Sequence, residues 1–459
     1  MRQKAMKLFD WRWFVVSSGM VATLSAGAET RPQYGGVLHV AMRAAPASLD
    51  PSDGTQPDSV ARRSLTMLMF DTLVTTDQNG RVQPSLATDW QASPGSQRWQ
   101  FRIRRGVKFH DGTALTAEIA AASLRAANPP WNVVADADSV VIDSSDPNLL
   151  AELTLPRNAI VKRTSDSKPN GTGPFHMVEW QPGKKLALAG EENCWRGRPF
   201  LDAVEIEMGK SYRDQMTALE LGKADLVEVA PEQAHRLSQE GGRLLSSTPV
   251  ELLALLFPRD ATSPDEKLLR EALALSVERG SIRSVLLQGA GQPTASILPN
   301  WMSGYEFVFP TGAELQRAHQ KREQVPSKAT WTLGYDGRDP LARLLAERIA
   351  LNGKDAGLSL QPTTAASTDL RLIKISLASS DPWVALVDVA ALIGLRPAKN
   401  QGGVEDLYAC EVALLATQRL IPLFRLPVSY VSSSSLKNWA LRPDGSWALA
   451  DAWLGDARP

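Results

Sequence analysis

The 459-residue chain has few of the residues from which metal and redox sites are built: two cysteines and five histidines. No His-x-x-x-His or Cys-x-x-Cys spacing and no carboxylate-rich loop occurs, so the sequence indicates no metal site. A Gly-x-Ser-x-Gly motif, which would supply a hydrolase nucleophile, is missing as well. His110 and Asp111 are adjacent, but they lie in a predicted turn that gives both a structural role. We therefore predict a protein that is not an enzyme and needs no cofactor.

The chain also lacks an excess of either charge, since 50 Lys and Arg balance 50 Asp and Glu. Without residues 1–28, 46 basic residues face 49 acidic ones, a net charge of −3. Such a balance gives no reason to expect a nucleic acid or an anionic membrane surface as partner.

A long apolar run is missing too. Residues 1–28 have a basic start, a short apolar run from Trp13 to Ala26 and a small-x-small end, which is the pattern of a cleavable secretory signal. The alternative is a membrane anchor, but the run is interrupted by small polar residues and is shorter than the ~20 residues that span a bilayer. No cysteine follows it to carry a lipid. We expect a protein that is free in the periplasm.

Cys194 and Cys410 would meet an oxidising environment after export, so a disulfide between them is allowed. The alternative is two small buried thiols, and it is favoured because a chain of this length can bury large cores without a cross-link.

The most regular stretch runs from Pro84 to Leu124. Trp99, Phe101 and Ile103 alternate with polar residues, which predicts a strand buried on one face. An Asp-Gly turn follows a second short run, and Thr116 is then a predicted N-cap for an Ala-rich helix.

Other segments add similar units. The run Asn170–Phe175 (NGTGPF) lacks the Lys-Ser/Thr of a phosphate loop and precedes a strand, so its glycines are interpreted as points of close backbone approach. Strand, helix and strand patterns follow one another from Thr330 to Leu360, which is typical of a parallel α/β sheet.

LATDW, then WQFRIRRGVKFHDGTALTAEIAAASL, then NGTGPF resemble extracytoplasmic solute-binding proteins of the peptide and nickel class, which deliver ligands to ABC importers. A glycine pair, a strand and Leu49-Asp50-Pro51 at the start agree with this resemblance. It implies an α/β fold of the periplasmic-binding-protein-like class II (cluster C), with two lobes, a hinge and a small accessory α+β domain. It also implies capture of a peptide-like or other small solute between the lobes and delivery to an inner-membrane ABC permease.

The expected division of the chain follows from the same resemblance, and a monomer is expected. The predicted parts are a signal peptide (1–28), a discontinuous lobe I (29–55, 165–247 and 429–459), an accessory domain (56–164) and a shortened lobe II (248–428).

Five residues are candidate ligand contacts. Ala45 and Pro46 follow the first strand, whose loop borders the cleft in the family; where some relatives carry a charge there, this chain has alanines, so a strongly charged ligand terminus is less expected. Asp381 is the candidate partner of a ligand ammonium, with Trp383 beside it; the alternative is an Asp-Pro turn with a packed tryptophan. Tyr430 is the candidate aromatic contact, with a core position as its alternative.

The ligand itself stays open among peptides, sugars and metal chelates. Two other functions also stay open: an interaction module that is not coupled to transport, and a periplasmic hydrolase.

Overall fold

The structure is a computed structural model that describes residues 31–455, except 94, 96, 145, 164–168, 240–242, 328–329 and 398–401. The predicted signal peptide lies outside the described residues.

Strands and helices are numbered separately in chain order. The strands are β1 Val37–Ala41, β2 Val74–Thr76, β3 Val82–Pro84, β4 Ala87–Ala92, β5 Arg98–Ile103, β6 Asn132–Asp136, β7 Ser139–Asp143, β8 Lys162–Arg163, β9 Pro169–Asn170, β10 Phe175–Gln181, β11 Lys185–Gly190, β12 Ala203–Glu207, β13 Leu226–Val229, β14 Leu244–Ser246, β15 Glu251–Leu256, β16 Gln292–Pro293, β17 Thr330–Gly334, β18 Ser359–Thr363, β19 Leu370–Ser376, β20 Leu420–Leu426, β21 Ser429–Ser432, β22 Leu436–Lys437, β23 Ala440–Leu441, β24 Trp447–Ala448 and β25 Trp453–Leu454. The helices are α1 Val60–Met69, α2 Ala117–Ala127, α3 Leu149–Leu153, α4 Tyr212–Glu220, α5 Pro231–Gln239, α6 Pro264–Ser276, α7 Arg279–Val285, α8 Asn300–Ser303, α9 Leu315–Glu323, α10 Pro340–Asp355, α11 Pro382–Leu392 and α12 Val404–Leu415.

A seven-stranded sheet has the order β10-β11-β12-β1-β13-β21-β14. Its centre is parallel, because β1 pairs in parallel with both β12 and β13. Apolar cores cover both faces, one involving α1 and the C-terminal segment and the other involving α4 and α5. This double cover is reflected in β13, where Leu226, Val227 and Val229 are all buried.

A six-stranded sheet has the order β16-β20-β15-β19-β17-β18, in which β17 is parallel to β18 and β19. One face packs on α6, α9 and α10 and the other on α11 and α12. Every residue of β20, including Arg425, is buried, as expected for a strand between two covered faces.

A four-stranded antiparallel sheet, β4-β5-β7-β6, packs against α2 as a separate small layer. In β5 the residues Trp99, Phe101 and Ile103 are buried and the residues between them are exposed, which confirms the predicted alternation. The predicted N-cap is confirmed too, because the hydroxyl oxygen of Thr116 accepts from the Ile119 amide at 3.3 Å.

The chain crosses between the two large sheets twice. It leaves the seven-stranded sheet after Ser246, enters β15 at Glu251, and returns through Pro427 and Val428. The two crossings are joined to each other, because the Ser247 amide donates to the Val428 carbonyl at 2.9 Å and the Val428 amide donates to the Ser247 hydroxyl at 3.1 Å. We refer to residues 247–250 and 427–428 as the crossing segments.

The predicted division into lobes stays a prediction, and the packing suggests one change to it. Helix α1 contributes Ala61, Leu65 and Leu68 to the core of the seven-stranded sheet rather than to the four-stranded layer. We propose that lobe I continues to about Phe70, whereas the sequence placed the start of the accessory domain at residue 56.

Cys194 and Cys410 do not form a disulfide with each other, and Cys410 is buried. Burial raises the pKa of the Cys194 thiol. Among the described residues, no helix combines the length and apolar character needed to cross a bilayer.

Gly445 lies against both crossing segments. It has a φ of +80°, and a Cβ placed there would lie 2.8 Å from Cγ2 of Val428 and 3.1 Å from Cγ2 of Val250. Both distances are too short for carbon atoms, so a larger side chain would force the crossing segments apart.

We predict that Gly445→Ala lowers the free energy of unfolding by about 1–3 kcal/mol more than the matched change Gly106→Ala. Gly106 has a similar φ of +82° but nothing within 4 Å of a Cβ, so it reports only the backbone strain. Urea unfolding of both variants measures the difference, and equal losses would contradict the prediction.

Candidate functional site

A cavity of about 460 Å³ lies between the two large sheets. Its position follows from topology: β1, β12 and β13 are parallel, so their carboxyl ends meet at one edge of the seven-stranded sheet. In open α/β sheets this edge is where ligands bind, since loops and helix N-termini collect there.

The seven-stranded sheet supplies most of the lining. It contributes Arg43–Ala45 after β1, residues 209–212 before and at the start of α4, and Glu228 at the end of β13. The first residues of α1 and α5 also lie in the wall. Ser59 and Ser211 cap α1 and α4 with their hydroxyl oxygens, so the positive ends of these helices face the cavity.

The six-stranded sheet supplies charged residues. Glu251 begins β15, Lys374 lies on β19, and Arg338 lies between β17 and α10. The crossing-segment residues Pro427 and Val428 complete the wall.

Arg43 spans the space between the two sheets. Its Nη2 lies 3.0 Å from Oδ2 of Asp336, and its Nη1 lies 3.0 Å from Oδ2 of Asp339. Its backbone amide donates to Oε2 of Glu228 at 2.5 Å, and its guanidinium lies 5.6 Å from the ring centroid of Tyr212. Burial would lower the pKa of Arg43, but the surrounding acidic groups outweigh it and raise the pKa.

Lys374 presents an ammonium to the cavity. Its nearest ion-pair partner is Oδ2 of Asp339, at 3.9 Å, which is too far for a hydrogen bond. Burial lowers the pKa of Lys374, but Tyr212, Glu251 and Asp339 outweigh this effect and raise it to about 12. Burial likewise raises the pKa of Tyr212 to about 12. The cavity therefore holds a stable positive charge next to a neutral phenol.

Glu228 is held by its neighbour Gln215, which is fully buried. The Gln215 amide nitrogen donates to Oε2 of Glu228 at 3.2 Å, and the Glu228 backbone amide donates to Oε1 of Gln215 at 2.8 Å. Burial raises the pKa of Glu228 even though the hydrogen bonds that its carboxylate accepts from the Arg43 backbone amide and from Gln215 favour its charged form.

Two of the five sequence-predicted contacts line this cavity, Ala45 and Tyr430. Tyr430 is only 2% exposed and packs edge-on against Trp439 and Trp447, so it belongs to the core as well as to the wall. Burial raises its pKa well above the ordinary value for tyrosine.

The structure places the other three elsewhere. The Pro46 carbonyl accepts from the Gly183 amide at 3.1 Å, and Pro46 does not line the cavity. Asp381 caps α11, where its Oδ1 accepts from the amides of Trp383 and Val384 at 3.0 Å each. Trp383 is 7% exposed and packs in a core of the six-stranded sheet. None of these three lines the cavity, and their role as ligand contacts stays a prediction.

Sequence reasoning missed Arg43, Glu228 and Lys374. A usable signal was a charge inside an apolar strand, as with Glu228 in β13 and Lys374 in β19, since central strands rarely carry one without a purpose. Arg43 lies two residues after the end of β1, directly before the alanines to which the family resemblance points.

Within the described part of the chain, no group of three or more His, Cys, Asp or Glu side chains could hold a metal ion. The described cavity lining contains serines but no histidine or cysteine, so it offers no soft metal ligand. The Ser211 hydroxyl does donate to Oδ2 of Asp214 at 2.7 Å, but both residues belong to the N-terminal cap of α4.

Two α/β lobes that enclose a polar cavity and are joined by paired crossing segments define a two-lobed solute-binding fold. The profile of the family "Bacterial extracellular solute-binding proteins, family 5 Middle" matches residues 81–375, which is more than half of the chain. The chain belongs to this family, and its fold is the two-lobed class II periplasmic-binding-protein fold.

Individual relatives are distant. The chain is 25% identical over 323 residues to the nickel-binding protein NikA of Staphylococcus aureus and 23% identical over 357 residues to the oligopeptide-binding protein AppA of Bacillus subtilis. The matches cover 63% of this chain and 63% of NikA, and 69% of this chain and 62% of AppA. The chain thus spans less than two thirds of the length of these relatives.

Solved structures show the same fold over more of the chain. The structure of S. aureus NikA with Ni(L-His)2 covers 91% of this chain and 100% of NikA, with a TM-score of 0.79 and 17% identity. The structure of B. subtilis AppA with a nonapeptide covers 93% of this chain and 100% of AppA, with a TM-score of 0.80 and 17% identity.

We predict that Gln215→Leu lowers the free energy of unfolding by about 1–3 kcal/mol, because the Glu228 amide and carboxylate each lose a buried partner. Gln324→Leu is the control, since Gln324 is exposed and its side-chain amide donates to the Gln320 carbonyl. Thermal and urea unfolding measure both, and equal stability of the two variants would contradict the assigned role of Gln215.

Proposed function

We propose that this chain is the periplasmic solute-binding component of an ABC importer, exported with its residues 1–28 removed. It captures a small solute between the two lobes as a monomer and delivers it to an inner-membrane permease. The observation that carries the proposal is the cavity of about 460 Å³, whose wall combines loops from both lobes with the crossing segments. A ligand that contacts both lobes favours closure by as much as it binds the closed state better.

The chemistry of the wall supports a small amphoteric ligand of the peptide type. Lys374 can meet an anionic group, while Glu251 and Glu228 lie where a cationic or hydrogen-donating group would be favoured. Such an ammonium-to-carboxylate hydrogen bond contributes about 1.5–3 kcal/mol. The volume lies at the small end of the usual range for ligand pockets, which supports a short peptide or a single chelate over a long peptide.

The named relatives bear on the ligand as well. NikA is a nickel-binding protein whose structure contains Ni(L-His)2, and AppA binds oligopeptides. Because the described lining contains no histidine or cysteine, a nickel ion in this cavity would need an organic chelator, whose carboxylates would then meet Lys374.

The two alternative functions have less support. An interaction module uncoupled from transport would be favoured if the shortened second lobe left no cavity, whereas a cavity of about 460 Å³ lies between the lobes. A hydrolase needs a base next to its nucleophile, and the described lining has no histidine beside its serines.

The experiment is a thermal-shift screen with alanine di- and tripeptides, L-histidine, Ni(II) with L-histidine and Ni(II) alone, together with mass spectrometry of ligand that co-purifies. A ligand at 100 times its Kd adds about 2.7 kcal/mol to stability, which such a screen detects. We predict that Lys374→Met loses the response to any hit and that Arg343→Met keeps it, since Arg343 pairs with Glu347 on the exposed face of α10. No shift with any ligand and no co-purifying molecule would contradict the proposal.

The contribution of Lys374 to binding is also predicted to be independent of pH between about 6 and 10. The pKa of Lys374 is raised to about 12, so the ammonium and its contribution persist below the ordinary lysine value and are lost only as pH rises through about 12. Calorimetric titration of the best ligand into the parent and into Lys374→Met across this range separates this contribution from the titration of the ligand itself. A difference in affinity between the two proteins that disappears with a midpoint below pH 10 would show that Lys374 is not the anion partner.

A further inference from the structure

Arg43 is the residue whose role the proposed function leaves open. It follows β1 of the seven-stranded sheet, whereas its partners Asp336 and Asp339 follow β17 of the six-stranded sheet. Both ion pairs, at 3.0 Å each, therefore run across the cleft from one lobe to the other. Arg43 and Asp336 are 293 residues apart in the sequence.

Hydrogen bonds from nearby backbone amides hold the carboxylates of Asp336 and Asp339 in place. Oδ1 of Asp339 caps α10 by accepting from the amides of Leu341 and Ala342 at 3.1 and 3.3 Å, which leaves Oδ2 to face Arg43. Oδ1 of Asp336 accepts from the Arg338 amide at 3.0 Å, and again Oδ2 faces Arg43. Burial raises the pKa of Asp336, but the hydrogen bonds from Arg338 and the charge of Arg43 outweigh it, so the pKa is lowered and the carboxylate stays charged.

Arg43 is correspondingly committed. Its Nη2 donates to Oδ2 of Asp336, and its Nη1 lies 3.0 Å from Oδ2 of Asp339 without making a hydrogen bond among the described residues; its side chain is 25% exposed. A ligand carboxylate that took both nitrogens in the usual two-pronged manner would have to displace Asp336 from Nη2 and separate Nη1 from Asp339. Lys374, by contrast, has no partner within hydrogen-bond distance among the described residues.

We infer that Arg43, Asp336 and Asp339 form an interlobe latch that favours the closed cleft before a ligand arrives, and that Arg43 sets ligand affinity through closure rather than by holding the ligand. The latch is a property of the ligand-free protein. Its effect on affinity rests on the proposed function: if only the closed state binds, the apparent Kd rises in inverse proportion to the closed fraction.

A second contact across the molecule must be accounted for in the test. Arg157, next to the four-stranded layer, lies 3.0 Å from Asp388 on α11 and 2.7 Å from Glu152. It could hold the lobes together after the latch is removed, so every variant is made with Arg157 intact and with Arg157→Met.

The test compares Arg43→Met and the double variant Asp336→Asn/Asp339→Asn with the parent by small-angle X-ray scattering without ligand. Asparagine is also a good N-cap, so α10 keeps its start in the double variant. Arg343→Met is the control for loss of an exposed arginine. The latch predicts a larger radius of gyration and maximum dimension for both variants, at least in the Arg157→Met background, with no change in the control.

Affinity for the best ligand of the screen separates the latch from direct recognition. The latch predicts that both variants bind about fivefold or more weakly, within the usual size of a coupling between sites. Tighter binding by the double aspartate variant would overturn the latch and make Arg43 a ligand contact. Unchanged scattering of that variant in both backgrounds would also overturn the latch. If the dimensions change but no ligand binds the parent, the latch stands and the proposed function fails.

Discussion

The two-lobed structure depends on the pairing of its two crossing segments. Ser247 and Val428 bond to each other through backbone and hydroxyl groups, and Gly445 packs against both segments with no room for a side chain. Two adjacent segments that are joined in this way bend or twist together, which favours a relative motion of the lobes about the crossing segments. This motion is known as hinge closure.

Charged groups at the cleft affect how closely the two lobes approach each other. Each lobe turns the carboxyl ends of its parallel strands toward the cleft, and with them the N-termini of α1, α4, α5 and α10. These positive ends would repel one another in a closed cleft without intervening carboxylates. Asp339 caps α10 and Glu228 accepts from the backbone of Arg43, so each contributes negative charge where the dipoles meet. The cleft is consequently a balanced polar site in which single charges can change both closure and binding.

Local features of the fold could be predicted from the sequence, and long-range ones could not. The alternation in β5 and the Thr116 cap depend on residues within one or two turns of the chain, and both are confirmed. The order β12-β1-β13-β21 joins segments from opposite ends of the chain, and composition contains no record of which strands pair. The resemblance to a known family filled that gap for the fold, and the family match confirms it.

The site was harder to predict from the sequence than the fold, because its residues come from distant parts of the chain. Ala45 and Tyr430 were found because they lie next to recognisable strands, and both line the cavity. Asp381 was a candidate because the resemblance implies a carboxylate of lobe II that meets a ligand ammonium, yet the two amides that it caps lie only two and three residues away. Arg43 presented the reverse case, since its partners are distant in sequence. An isolated charge in a sequence is therefore ambiguous until the nearest backbone amides and the opposite lobe are both accounted for. In this chain the nearby amides identify Asp381 as a helix cap, and the opposite lobe provides the partners of Arg43 in the loop after β1.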